Sequence, residues 1–136
     1  MRYLNMFFSF FSSSNFEKRE LPWIDLNSMD QLESINTESK EKLMIIFKHS
    51  TRCGISRIVL KEFMRQYPLT EDTANLYYLD IFGFRAISNE ISSRFGVVHE
   101  SPQLLVIKDG NVVHHASHHR INSNKLNEFI SVGEQK

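Results

Sequence analysis

The chain has no second cysteine. Cys53 stands alone among 136 residues, so no internal disulfide and no multi-cysteine zinc site can form. That sulfur either exchanges with another molecule or packs inertly. A reducing compartment such as the cytoplasm suits a chain without disulfides. Net charge is missing too, because 16 Lys+Arg balance 16 Asp+Glu. No bulk attraction draws the protein to nucleic acid or to an anionic membrane surface. No apolar run approaches the roughly 20 residues that span a bilayer. There is no internal repeat, and no low-complexity tract beyond the phenylalanines and serines of the first residues.

What remains is the composition of a globular domain: 41% hydrophobic and 24% charged residues, in a chain long enough to bury a core without staples. Phe7, Phe8, Phe10, Phe11 and Phe16 punctuate the start, only Arg2 precedes them with positive charge, and no small-residue cleavage site follows. That pattern does not fit a signal peptide. The expectation is an N-terminal arm, loosely docked or mobile, over residues 1–20 and one domain over 21–136.

From there the pattern alternates. Trp23 to Leu26 reads as a short strand, and Ser28 with Gln31 has the spacing of a capping box opening a helix through about Ile35. Thr37 to Lys42 reads as a charged connector. Leu43-Met44-Ile45-Ile46-Phe47 is apolar without a break, as a strand covered on both faces is. Ile55, Ile58, Val59, Phe63 and Tyr67 then recur at helical spacing up to Pro68, which ends the helix. A third strand follows at Leu76 to Ile81, and a modest helix at Ala86 to Phe95 carries Gly96 as its C-terminal cap. Gln103 to Ile107 and Val112 to Ala116 form a hairpin across Asp109-Gly110-Asn111. Asn122 or Ser123 caps a last helix bearing Leu126, Phe129 and Ile130. The class is α/β, a central mixed sheet of about five strands with helices on both faces.

Cys53 falls where the second strand gives way to the second helix. Unpaired backbone N–H groups and the positive end of the helix dipole favour an anion there, so the thiolate gains relative to the thiol. Lys48, Arg52 and Arg57 add nearby positive charge. The inert alternative is a buried structural cysteine, because free cysteines are often buried.

The run Phe47-Lys48-His49-Ser50-Thr51-Arg52-Cys53-Gly54-Ile55-Ser56-Arg57, then Ser101-Pro102-Gln103 and more loosely Ala116-Ser117-His118, resembles the thioredoxin-like YtxJ family, the monothiol bacilliredoxins, from about Leu21 to Ile130. The familiar family motif is Thr-Cys-Pro-Ile-Ser. Here Arg52 separates Thr51 from Cys53, and Gly54 stands in the place of the proline. The resemblance implies a thioredoxin-like fold and thiol–disulfide exchange at Cys53, with Arg52, Gly54 and Ser56 around the thiolate and Thr51, Ser101 and Pro102 against substrate. Ser56 occupies the place where a Cys-x-x-Cys enzyme has its resolving thiol, and a hydroxyl there can bond a thiolate but cannot form a disulfide with it. The resemblance further implies no bound cofactor, with bacillithiol or a similar small thiol as co-substrate and S-thiolated client proteins as partners. It also implies a cis Ser101-Pro102 bond.

Two other readings stay open. One is a thioredoxin-like sensor or adaptor whose modification persists without turnover; the other is a non-redox structural domain. His114, His115, His118 and His119 invite a metal, but neighbours on a strand point to opposite faces and no carboxylate or cysteine lies close in sequence. Surface or strand-edge histidine is the expectation, with no metal site.

Overall fold

The computed structural model describes residues 21–130; the arm expected over residues 1–20 lies outside them. The elements run β1 (Trp23–Asp25), α1 (Asp30–Glu38), β2 (Leu43–His49), α2 (Gly54–Gln66), β3 (Ala74–Asp80), α3 (Arg85–Phe95), β4 (Gln103–Lys108) and β5 (Asn111–Ser117), followed by 3-10 segments at His118–Arg120 and Ser123–Phe129. The sheet order is β1-β3-β2-β4-β5. β1 and β2 both pair with β3 in parallel, and β4 joins β2 and then β5 in antiparallel fashion. This is the five-stranded mixed sheet that the alternating pattern predicts.

β2 is central, with Ile45 opposite Leu76 on one side and Val106 on the other. All seven of its residues are buried, which is why the sequence there shows no polar alternation. The pleat divides them between two cores. Met44 and Ile46 meet Leu32 and Ile35 of α1 and Ile87 and Ile91 of α3, while Leu43, Ile45 and Phe47 meet Leu60 and Phe63 of α2. Trp23 closes the α2 side, its ring centroid 6.0 Å from Phe63 and 6.3 Å from Phe47. Aromatic pairs at such separations add stabilisation beyond the area they bury. They stiffen the floor on which α2 sits.

Several boundaries differ from the sequence reading. α1 begins at Asp30 and runs to Glu38, so only half of the expected capping box forms. Gln31 Oε1 accepts from the N–H groups of Asn27 and Ser28, whereas the Ser28 hydroxyl reaches Gln31 instead of a backbone N–H. α2 stops at Gln66, with Tyr67 extended ahead of Pro68. The β4–β5 turn places Asp109 at φ 52° and Gly110 at φ 78°, the left-handed pair that an Asp-Gly hairpin requires.

The expected last helix is a 3-10 segment instead. The Asn122 side chain accepts from the N–H of Asn124 as anticipated. The seven residues that follow are too few to hold an α-helix by themselves. Packing decides their form: Leu126 is buried, and the Ser123 hydroxyl donates to the Phe63 carbonyl.

Candidate active site

The C-terminal ends of β2 and β3 and the N-terminal end of β4 meet at one edge of the sheet, where Lys48 pairs with Gln103 and His49 with Asp80. The chain leaves β2 there, turns through Ser50 to Arg52, and enters α2. Cys53 is the N-cap residue, extended at φ −110° and ψ 120°, and its carbonyl accepts from the Arg57 N–H. Its side chain is partly exposed. The sulfur therefore sits at the anion-favouring end of a 13-residue helix, open to a reactant.

The face that α2 buries is not the one its apolar residues suggested. Ser56, Leu60 and Phe63 point inward, while Ile55 and Ile58 are 62% and 68% exposed. Phe82, 52% exposed, lies under the Arg52 guanidinium at 3.8 Å in a cation–π contact. Apolar side chains thus stand in solvent on the first turns of α2 and beneath Arg52, the kind of surface that marks an interaction site.

The cause of the rotation is Ser56. Its hydroxyl is fully buried and lies 2.8 Å from His49 Nδ1, while accepting from the Ser50 N–H at 3.1 Å. Accepting from Ser50 leaves the hydroxyl proton for Nδ1, which puts the imidazole proton on Nε2. Burial pulls the His49 pKa down to about 4 and so keeps the ring neutral, although Asp80 pushes the other way. Ser56, the serine expected beside the thiolate, ties the start of α2 to the end of β2. His49 carries that tie and was overlooked in the sequence, although Phe47 on the same side of the pleat is a usable signal.

Lys48 also goes elsewhere. It is fully buried on the α3 face, with Nζ 3.4 Å from both the Ser88 carbonyl and His99 Nδ1. Burial and then Arg85 lower its pKa to about 8. Its charge therefore lies across the sheet from α2, while the Arg52 guanidinium is held over Phe82. Arg57 is exposed on α2.

Ser101 and Pro102 are joined by a cis peptide bond just before β4. The Pro102 carbonyl accepts from the His118 N–H at 3.0 Å, and the Ser101 hydroxyl is buried with no hydrogen-bond partner among the described residues. Thr51 lies in the turn between β2 and Cys53, partly buried.

Gly54 is the first residue of α2, and a Cβ built on it meets nothing within 4 Å. Proline is favoured at such a position, and the extended Cys53 before it suits the restriction that proline imposes. Gly54→Pro is expected to stabilise the fold by about 0.4–1 kcal/mol, chiefly by restricting the unfolded chain. Thermal unfolding is expected to move up by about 2–4 °C. A lower midpoint would mean that the backbone at residue 54 cannot accept proline.

Comparison with known proteins places this geometry. The family model described as monothiol bacilliredoxin BrxC matches residues 24–126. A solved structure described as a proposed oxidoreductase with a thioredoxin fold is 32% identical, over 78% of this chain and 91% of that one, with a TM-score of 0.65. Fasciola hepatica thioredoxin is 22% identical over 76% of this chain and 92% of its own, at 0.57. Malassezia sympodialis thioredoxin is 18% identical over 76% and 84%, at 0.58. The two thioredoxins establish the fold alone. The family match covers the strand, the turn, Cys53 and the cis-proline loop together, and the chain belongs to the monothiol bacilliredoxin family, thiol–disulfide oxidoreductases built on a thioredoxin fold.

Proposed function

We propose that the protein removes bacillithiol, or a similar low-molecular-weight thiol, from mixed disulfides on client proteins. The Cys53 thiolate attacks the small-thiol sulfur of the client disulfide. A disulfide forms between Cys53 and the small thiol, and the client sulfur leaves as a thiolate that takes a proton from water. A second small thiol, as its thiolate, then attacks the small-thiol sulfur held on Cys53. The symmetric small disulfide departs and Cys53 is restored as the thiolate. Each step exchanges one S–S bond for another, and the two electrons that reduce the client come from the pair of small thiols.

The observation that carries this reading is the partly exposed Cys53 at the start of α2 in a chain with no other cysteine. Ser56 in the resolving position, tied to His49, supports release by an outside thiol. Ser101 and Pro102 are the proposed substrate contacts on the β4 side and Thr51 on the β2 side, while exposed Ile55, Ile58 and Phe82 receive the client around the sulfur. Arg52, held on Phe82, and Gly54 shape the approach. The reducing cytoplasm is the proposed compartment, and no described helix is long and apolar enough to cross a membrane.

The test is turnover. A client carrying bacillithiol on one cysteine, mixed with substoichiometric protein and excess free bacillithiol, is expected to be fully released. Release that stops after one equivalent per protein would instead assign the chain to a sensor that is modified and stays modified.

A further inference from the structure

Beside the cis-proline loop, the structure contains a cavity of about 690 Å³, within the roughly 300–1,000 Å³ usual for small-molecule sites. Its walls are the end of β5, the 3-10 segment at His118–Arg120, Lys125 and Glu100. We propose that this cavity binds the carboxylate-bearing part of the small thiol that Cys53 exchanges, a subsite that rests on the function proposed above.

Two observations converge on it. The cavity wall is bonded to the site itself, because the His118 N–H donates to the Pro102 carbonyl and Ser117 pairs with Gln103. Its charge suits an anion: Arg120 and Lys125 face Glu100 as the only formal charge of the other sign in the lining, and neither cation is in an ion pair among the described residues. His114 lines the same space with its ring stacked on Phe129, centroids 5.1 Å apart. Burial of the ring, reinforced by Lys125 and His115, holds its pKa below the ordinary histidine value.

A carboxylate bound in the cavity would neutralise the two cations. The groups are two cations and imidazoles without a cluster of acidic ligands, and no set of three or more His, Cys, Asp or Glu among the described residues is placed to hold a metal ion. An anionic organic ligand is therefore the better match.

S-methyl bacillithiol is the probe, because it keeps the carboxylates and cannot form a disulfide. Titrated into the full chain and followed by calorimetry, it is expected to bind saturably. Arg120→Gln and Lys125→Gln are each expected to weaken binding about tenfold, the scale of one charge-assisted hydrogen bond. Lys40→Gln, at the opposite end of the sheet, is expected to leave it unchanged, and the methyl-esterified probe is expected to bind as weakly as the charge-removing variants allow. Equal affinity for acid and ester, or variants that bind like the wild type, would overturn the subsite. So would tighter binding by an acidic peptide that competes with the probe, which would give the cavity to clients. Turnover that persists while the probe fails removes only the subsite; failed turnover with intact binding removes the proposed function and leaves the subsite standing.

Discussion

Cys53→Ser is expected to lose release of the client by on the order of 10³-fold or more, the scale seen when a nucleophile is removed from an enzyme, while becoming more stable to heat. The two effects have one structural origin. Cys53 occupies the N-cap of α2 without any side-chain hydrogen bond to the helix. A serine hydroxyl accepts from the orphan N–H groups of the first turn far better than a thiol does. Good caps are worth about 0.5–2 kcal/mol. The native residue thus leaves the helix start under-capped and keeps the sulfur available, a trade of stability for reactivity that recurs at functional sites. Thermal unfolding and the release assay on the same two proteins check it. A serine variant that lost both activity and stability would mean that the sulfur packs structurally, since its partly exposed position would then be carrying contacts that the helix start needs.

The second large effect is on acid stability, through His49. The unfolded chain takes up a proton on this residue near the ordinary 6.5, the folded one only near 4. Between those values the unfolded state binds more protons, so stability falls as the pH falls. The contribution is complete above about 6.5, declines across the window and levels off below about 4. The lowering from 6.5 to about 4 makes this on the order of 3 kcal/mol. His99 and His114 are displaced in the same direction, His99 by burial and then by Lys48 and Arg85. They steepen the curve in the wild type and in any His49 variant alike. His49→Asn keeps an acceptor near the Ser56 hydroxyl and does not titrate. It is expected to be less stable near neutral pH, because the smaller side chain leaves space among Phe47 and Tyr78. Its deficit is expected to shrink by up to about 3 kcal/mol by the acid end of the window. Urea unfolding across that range gives the difference, and parallel curves for the two proteins would show that His49 is not the group responsible.

The parts of this site that local pattern governs were legible in the sequence. Leu43 to Phe47 declared a strand covered on both faces, Pro68 ended α2, Asp109-Gly110 turned the hairpin, and Gly96 ended α3 at φ 69°. Cys53 at the junction of strand and helix followed from those boundaries. The parts that depend on what lies across the fold were not legible. The helical spacing of Ile55 and Ile58 marked a helix without saying which face it buries, and a buried histidine on β2 draws Ser56 inward and turns them out to solvent. Lys48 read as a helper of the thiolate because it is five residues away, yet the pleat sends it beneath α3. The His114 to His119 run looked like scattered surface histidine. It becomes one cavity wall only because β5 and the turn after it fold back beside Pro102.

Intact mass measured on the protein after brief exposure to oxidised bacillithiol tests the central claim most directly. The expected result is one added bacillithiol, located at Cys53 by peptide mapping and removed again by free bacillithiol alone. A protein whose mass stays unchanged near neutral pH, or an adduct that free bacillithiol cannot displace, would contradict it.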